Sequence, residues 1–322
     1  MLNILFVTFP FFALVLAGFV AIQRGLLPRD AIGGLNGFVL YFALPCMLYR
    51  FGAGSPISQL LDPTLFLAYL LCALLMVGFS VAMSLNARIR WNDAAFGALV
   101  AAFPNTGFMG VPLLVALLGE GAAGPAIVTI VVDLVITTSL CVALSRLDGA
   151  DEHGAARAAK NALKAVLANP MPWAIILGVL SSAMSYELVG PLAKTVGLLA
   201  DSASPVALFT IGAVLARSQQ LTRESDHAPI MLRDYLPIAC FKLFLHPVLV
   251  LLVLSTVIQM GFAMDRFTMV VVVLVAALPS ASNVALLTER FDADTGRVAR
   301  IILVTTAAAF FTFSGAVALL HA

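Results

Sequence analysis

The chain has 322 residues, of which 61% are hydrophobic and only 11% charged, and its mean hydropathy is +1.04. Soluble domains carry about 25% charged residues. This composition therefore excludes an ordinary soluble protein and predicts an all-α, polytopic membrane protein whose outer surface contacts the lipid bilayer. The formal net charge of +1 offers no large basic face, which excludes nucleic acid as a partner.

Ten apolar segments follow one another along the chain. Each is about as long as a membrane-spanning helix, which needs about 20 residues. Several contain Pro or Gly, which a bilayer tolerates only where neighbouring helices or a cavity satisfy the freed backbone groups. The approximate bounds are residues 2–23, 35–53, 64–86, 94–118, 125–145, 171–187, 196–216, 235–260, 267–288 and 299–320.

The basic residues orient these segments. Fourteen of the 18 Lys and Arg residues lie in alternate loops, whereas Arg50, Lys194 and Arg266 lie in the other loops and Lys242 lies inside the eighth segment. Cytoplasmic loops carry the excess of basic residues. We therefore expect a multi-pass protein with both termini outside and the central loop in the cytoplasm.

The longest loop, residues 146–169, separates two sets of five segments, residues 1–145 and 170–322. Because five is odd, the second set enters the membrane in the opposite sense, which predicts a 5+5 inverted repeat of ten helices. Matching prolines support this prediction: Pro45 in the second segment has a counterpart, Pro205, in the seventh, and Pro104 in the fourth has a counterpart, Pro279, in the ninth.

The fourth and ninth segments are predicted to break near the bilayer centre. Pro104 and Pro279 each lie about ten residues into their segments, and Pro disfavours helix at the residue before it. The polar residues around them are of types that cap a new helix, and the first half-helix is expected from Gly107 onward. The residues of capping type are Asn105, Thr106, Ser280 and Ser282, whereas Gly107 adds backbone freedom and Asn283, like Asn105, can hydrogen-bond a carboxylate or another polar group.

The new helix ends would point free N–H groups at the membrane centre, where they favour an anion such as a carboxylate. We therefore predict a substrate site formed by Pro104, Asn105, Thr106, Gly107, Pro279, Ser280, Ser282 and Asn283. The alternative is a pair of ordinary proline kinks stabilised by packing. Two kinks at matching depth in opposite halves favour the site.

Three ionisable residues lie inside predicted spans, where such residues are rare and often functional. We expect Asp133 to titrate or to pair with Lys242 or His246, which makes the three a candidate coupling or charge-pair site. Two plainer interpretations stay open: Lys242 can extend its stem to the interface as an anchor, and His246 can be a hydrogen-bonded contact between helices.

Other classes of function find little support. An intramembrane enzyme would need a nucleophile with a base, or a metal cluster. Of the four histidines only His246 lies inside a span, and the four cysteines stand singly, so no catalytic or metal site is expected. The chain also lacks a GxxxxGK[ST] phosphate-binding loop, which disfavours an ATP-driven pump.

The run from Phe103 to Leu114, FPNTGFMGVPLL, resembles the signature of the auxin efflux carrier family, which includes plant PIN-formed exporters and many bacterial permeases. Residues 36–48 resemble the second helix of that family, and residues 277–283, ALPSASN, resemble its ninth. The similarity extends over essentially the whole chain in helix number and order. Residues 38–46 resemble the malonate-carrier branch most closely.

This resemblance implies a ten-helix transporter of the bile-acid symporter and sodium/proton antiporter type, in which broken helices four and nine cross and move like an elevator. It matches Asn105 to the asparagine that meets the substrate carboxylate in the plant exporters, and Pro104 and Pro279 to the two crossover prolines. The charged residues that plant members place in helix three have no counterpart in residues 65–85, so their proton-linked support site is not carried over.

We therefore predict a secondary active transporter of small organic anions, such as the dicarboxylates malonate and malate, in the bacterial inner membrane. No cofactor is expected, and the coupling ion is H⁺ or Na⁺, with proton symport slightly favoured. The alternative is a channel or a facilitator for a small neutral or amino-acid-like solute. A homodimer and the direction of transport stay open.

Overall fold

The structure is a computed structural model that describes residues 2–86, 88–147, 170–224 and 231–321, and this part of the chain is almost entirely helical. Most of the predicted linker, residues 148–169, lies outside the described residues. In the first half the helices are α1 (Leu2–Gln23), α2 (Ala31–Gly54), α3 (Pro63–Ser84), α4 (Trp91–Ala102), α5 (Thr106–Leu118) and α6 (Glu120–Leu144), with one helical turn, Ile57–Leu60, before α3.

The second half contains α7 (Pro170–Ala183), α8 (Gly190–Glu224), α9 (Leu232–Gln259), α10 (Arg266–Ala277), α11 (Val284–Arg290) and α12 (Thr295–His321). Carboxylates begin two helices, as N-capping predicts: Asp62 accepts hydrogen bonds from the amides of Thr64 and Leu65 at α3, and Asp265 accepts one from Thr268 at α10.

By length and composition, seven helices of the described chain can cross a membrane: α1, α2, α3, α6, α8, α9 and α12. The apolar helices α5, α7 and α10 have 10–17 residues and are shorter than a span requires. The expected helical membrane protein is therefore present. The count of ten spans stays a prediction, because it depends on how α4 and α5, and α10 and α11, combine.

The helices pack in two groups. In the first, which we call the α2/α8 group, α8 packs against α1 and α2, and α2 packs against α7. In the second, the α3/α9 group, α3, α4, α6, α9, α10 and α12 contact one another. Large apolar side chains are exposed on the outer faces of both groups, as expected for lipid contact: Phe6, Phe9, Leu16, Leu67, Leu71, Trp173, Leu177, Val248 and Leu252.

Glycines allow backbone contact within the α2/α8 group. A β-carbon on Gly212 of α8 would collide with the carbonyl oxygen of Val15 on α1, and one on Gly18 would collide with the carbonyl oxygen of Phe209. A β-carbon on Gly178 of α7 would lie 2.7 Å from the carbonyl oxygen of Tyr49 on α2. Small residues at such positions let membrane helices approach closely, which drives their association.

Four π-helical turns widen the helices of the described part of the chain. They are Val39–Ala43 in α2, Thr106–Gly110 at the start of α5, Val132–Thr137 in α6 and Phe241–Leu245 in α9. Such turns are rare and often occur at functional sites. Three of the four contain residues that the sequence singled out: Thr106 and Gly107, Asp133, and Lys242.

Candidate functional site

Two helix breaks lie side by side in the structure. The first separates α4 from α5, and the second separates α10 from α11; each contains a proline, Pro104 or Pro279. The backbones of the breaks pair in antiparallel fashion: the Asn105 amide donates to the Pro279 carbonyl at 2.8 Å, and the Ala281 amide donates to the Phe103 carbonyl at 2.9 Å. We call residues 103–106 and 278–283 the paired breaks.

Neighbouring residues hold the paired breaks in place. The Ser280 amide donates to the Thr305 hydroxyl of α12 at 3.3 Å, and that hydroxyl donates in turn to the Ile301 carbonyl at 2.8 Å. Gly110 leaves room for the Leu278 side chain of the second break, since a β-carbon there would lie 2.5 Å from Leu278 Cδ1. The contact with α12 and the absence of a side chain at Gly110 therefore support the arrangement of the two proline-containing breaks.

The side-chain cap expected of Asn105 does not form at the start of α5. Asn105 precedes α5 and Asn283 precedes α11, but neither side chain accepts a hydrogen bond from its helix. Thr106 Oγ1 reaches the Pro104 carbonyl at only 3.5 Å. Within the described part of the chain, Ser280 Oγ and Asn283 Oδ1 are buried without a hydrogen-bond partner. Because such burial is costly, these atoms are candidates to bind a ligand.

The start of α5 adds backbone donors to the same place. The amides of Met109 and Gly110 both donate to the Asn105 carbonyl, at 3.1 and 2.9 Å, so intrahelical bonding begins only there. The earlier amides of Gly107 and Phe108 precede the first turn and find no backbone acceptor among the described residues. Free amides at a helix start favour an anion.

A small cavity of about 20 Å³ lies beside the paired breaks, between them and the α2/α8 group. Its volume suits about one water molecule and is too small for a dicarboxylate. Polar groups from both sides line it. They are Asn36 of α2 and Thr210 of α8 on one side and Ser282 and Asn283 on the other, with Phe108 beside them.

A second set of polar residues is buried within the α3/α9 group. The Tyr69 hydroxyl of α3 donates to Asp133 Oδ2 at 2.9 Å, and Thr137 Oγ1 donates to Asp133 Oδ1 at 3.2 Å. Lys242 Nζ of α9 contacts His246 Nδ1 at 2.8 Å, and the Tyr69 and His246 ring centres lie 6.5 Å apart. Tyr69, Asp133, Lys242 and His246 are completely buried, and we call them the buried polar cluster.

The buried polar cluster contacts the polypeptide just before the second break. Lys242 Nζ donates to the Ala276 carbonyl at 2.9 Å, and Ala276 is the penultimate residue of α10. A cation at the carboxyl end of a helix is stabilised by the exposed carbonyls there. Lys242 therefore does not extend to the membrane interface as an anchor. Its ammonium group bonds His246 and Ala276 inside the protein.

The sequence was compared with those of known proteins. The sequence model of a family described as membrane transport protein matches residues 4–317. The chain belongs to this family. The resemblance to auxin efflux carriers is thereby confirmed, and the seven long apolar helices are those of a multi-pass membrane transporter.

Relatives of this transporter share about a quarter of its residues. A protein of Rhizobium meliloti (strain 1021) named "Putative malonate transporter" is 28% identical over 309 residues, which cover 95% of this chain and 92% of that protein. An "Uncharacterized transporter" of Methanothermobacter thermautotrophicus is 25% identical, with 91% and 90% covered. The "Uncharacterized transporter YfdV" of Escherichia coli (strain K12) is 26% identical, with 89% and 88% covered.

The predicted site residues of the transporter fall into two places. Pro104, Asn105, Thr106, Pro279 and Ser280 lie in the paired breaks, Gly107 follows them, and Ser282 and Asn283 line the cavity. Asp133, Lys242 and His246 come together in the buried polar cluster.

Sequence reasoning missed four residues: Asn36, Tyr69, Thr210 and Thr305. Each is a single polar side chain within an apolar helix, and that isolation is the signal that could have identified it. Tyr69 in the third segment was missed because that segment was considered for charged residues alone, and a tyrosine carries no charge.

Proposed function

We propose that the transporter is a secondary carrier of small organic anions and binds them at the paired breaks. The observation that carries the proposal is the Ser280 hydroxyl, which is buried without a partner among the described residues and can donate to an anion, beside the free amides of α5. Amide and hydroxyl groups can hold a carboxylate without burying a fixed charge of their own. Such binding is reversible, as a carrier requires.

A ten-helix arrangement fits the packing. We propose that α4 with α5, and α10 with α11, act as the fourth and ninth spans and cross at the paired breaks. The contacts then repeat in the two halves: α1 packs on α8 as α7 packs on α2, and α3 packs on α4 as α9 packs on α10. This pattern favours an inverted repeat of residues 1–145 and 170–322, joined by residues 146–169.

An elevator-type movement is the mechanism that we favour. The cavity at the paired breaks lies between the α2/α8 group and residues of the breaks, so sliding of one group against the other would carry the site. The volume of about 20 Å³ indicates a closed arrangement that must widen to admit a dicarboxylate. We place both termini outside and the central loop in the cytoplasm of a bacterial inner membrane, on the distribution of basic residues.

A dicarboxylate such as malonate or malate is the substrate class that we propose. The relative from Rhizobium meliloti is named for malonate and aligns over 95% of this chain. The paired breaks offer donors from two sides, the amides of α5 on one and the side chains of the second break on the other, which suits two carboxylates. The alternative function is a facilitator for a neutral or amino-acid-like solute. Such a solute would bind the same amide side chains and would not need the free backbone N–H groups at the start of α5.

Labelled malonate uptake into proteoliposomes tests this proposal. Wild-type protein should show saturable uptake, and Asn105→Ala should weaken the apparent affinity about 10- to 100-fold, because a hydrogen bond to a charged group contributes about 1.5–3 kcal/mol. Asn105→Asp should abolish uptake, since the new carboxylate repels the anion. Uptake that tolerates Asn105→Asp would instead support a neutral solute.

A matched control lies in the same cavity. The Thr210 hydroxyl donates to its own helix at Val206 at 2.6 Å, so it is already satisfied. Thr210→Val should therefore leave the malonate affinity within about twofold. Equal losses for Thr210→Val and Asn105→Ala would argue that any change near the paired breaks disturbs transport, and would overturn the proposed role of Asn105.

A further inference from the structure

We propose that the buried polar cluster binds the proton that travels with the anion, and that Asp133 is the residue that accepts it. The inference rests on the proposed function, since it concerns the coupling of the same transport cycle. It is carried by geometry: an acid and an ammonium group are fully buried, and one of them contacts the helix that leads into the paired breaks.

The cluster does not look like a structural ion pair. Among the described residues, no contact of 4.0 Å or less joins the Asp133 carboxylate to Lys242 Nζ, although their charges influence each other. Asp133 is held by two hydroxyl donors, and Lys242 by a ring nitrogen and a carbonyl. Apolar side chains would fill this interior at lower cost. Burial of two separately held charges is typical of residues that move protons.

The hydrogen bonds of His246 limit which protonation states the buried polar cluster can adopt. If Lys242 is charged and donates to Nδ1, then His246 carries its proton on Nε2, which is buried and has no partner within the described chain. If His246 donates from Nδ1, then Lys242 must be neutral. In both arrangements His246 Nε2 lacks a partner among the described residues. Neither protonation state therefore satisfies every polar atom, and the cluster can change from one state to the other.

The groups that face Asp133 come from every helix packed against it. Tyr69 of α3 and Lys242 of α9 act on Asp133 directly, Cys141 lies on its own helix, and Cys72 and His246 contact Tyr69 and Lys242 behind them. Helix α10 offers a carbonyl and apolar side chains, and the one titratable residue of α4, Asp93, bonds the Asp294 amide at its first turn instead. A proton arriving at the carboxylate therefore meets a single ammonium as its cationic neighbour.

The sign of the coupling follows from the charges. With Asp133 ionised and Lys242 charged, the cluster is neutral; a proton on an Asp133 oxygen makes it +1. An anion at the paired breaks favours the +1 state, and the +1 state favours the anion, reciprocally. The proton enters from water on one side and leaves to water on the other with the substrate, so transport is symport.

The expected magnitude comes from Coulomb's law. Lys242 Nζ bonds the Ala276 carbonyl, and Ala276 lies three residues, at most about 11 Å of extended chain, before Pro279, so the ammonium of the cluster is near the second break. Two unit charges about 10 Å apart, at an effective dielectric constant of about 20, change the occupancy of each other on the order of tenfold. Such a coupling is large enough to make uptake follow a proton gradient.

Two assays on the full chain in proteoliposomes separate the claims. Malonate counterflow without any gradient reports the anion site, and uptake driven by an imposed inward proton gradient reports the coupling. We expect Asp133→Asn to keep counterflow within about threefold but to lose the roughly tenfold stimulation by the gradient. The matched control, Asp30→Asn, makes the same change at an exposed carboxylate that caps nothing, and should behave like the wild type.

The outcomes are distinct. Absence of counterflow by malonate and malate in the wild type overturns the proposed function and this inference with it. Counterflow without any response of the wild type to the proton gradient, or full stimulation retained in Asp133→Asn, overturns the inference alone. If Asp133→Asn does not fold, Tyr69→Phe replaces it: loss of one of the two hydroxyl donors to the carboxylate should change the pH profile of gradient-driven uptake but not that of counterflow, and an unchanged profile of gradient-driven uptake overturns the inference.

Discussion

The glycine contacts of the α2/α8 group and the paired breaks are both places where two backbones touch, yet their surroundings differ. At Gly18 and Gly212 the helices are continuous, and backbone packs directly against backbone. At Pro104 and Pro279 the helices are interrupted, and polar atoms are buried without partners. Close backbone contact between two helices therefore stabilises the α2/α8 group, whereas at the paired breaks it leaves unsatisfied polar groups that a ligand can bind.

The largest effect is expected in the first region. Gly212→Ala places a β-carbon against the carbonyl oxygen of Val15, which is backbone and cannot rotate away, so α1 and α8 must separate. We expect a loss of about 3 kcal/mol or more in the free energy of unfolding, the upper part of the range for overpacking. Reversible unfolding in detergent micelles measures it.

The control for this change lies on the same helix. Nothing lies within 4 Å of a β-carbon built on Gly197, so Gly197→Ala should be neutral or stabilise the helix by up to about 1 kcal/mol. If both variants unfolded alike, the glycine contact would not be the source of stability, and the contrast between the two regions would fail.

The paired breaks should respond in the opposite direction. Ser280→Ala removes a buried hydroxyl that has no partner in the described chain, which should raise the free energy of unfolding by about 1 kcal/mol. The same change should weaken malonate binding about tenfold, because it removes a ligand donor. Unfolding and uptake assays on one preparation test both effects.

Ser314→Ala is the matched control for Ser280→Ala. The Ser314 hydroxyl donates to the Phe310 carbonyl at 2.6 Å, so its removal should cost up to about 1 kcal/mol and leave uptake unchanged. A loss of stability in Ser280→Ala would mean that its hydroxyl has a structural role, and the site would lose its main support.

The sequence predicted the regular parts of both regions because apolar length and proline position act locally. Residues 2–23 match α1 at both ends, and both breaks fall at the expected prolines. Helix α8 extends to Glu224, beyond the predicted 216, because a helix can continue past the apolar stretch that crosses the membrane. Hydropathy predicts which residues lie in the bilayer. It does not predict the residue at which the backbone hydrogen bonds of a helix end.

What the sequence could not supply are contacts between distant segments. Asn36 and Asn283 share one cavity, although nearly 250 positions separate them, and no local pattern links them. Tyr69 and Asp133 meet for the same reason, through the packing of α3 on α6. The expected cap at Asn105 was wrong because capping is a local preference that the surrounding packing can override.

A smaller effect is expected where α12 supports the second break. Thr305→Val keeps the shape of the side chain but removes the acceptor of the Ser280 amide, which should lower the free energy of unfolding by about 1 kcal/mol. The maximal rate of malonate uptake should also fall severalfold as the break loosens. Thr312→Val is the control, because among the described residues the Thr312 hydroxyl bonds its own helix alone, at the Ala308 carbonyl. Equal effects in both variants would exclude a supporting role for Thr305.

The smallest effect is expected at the edge of the α2/α8 group, where charge instead of backbone contact joins two helices. Arg50 Nη1 of α2 donates to Asp201 Oδ1 of α8 at 2.6 Å, but the side chains are 42% and 68% exposed. Exposed pairs of this kind contribute about 0.2–1 kcal/mol and weaken with salt. A double-mutant cycle of Arg50→Gln and Asp201→Asn should therefore give a coupling below about 0.5 kcal/mol at 0.5 M salt, far below the cost of Gly212→Ala. A coupling of 2 kcal/mol or more would show that charge holds this group together, because only a desolvated pair reaches that value.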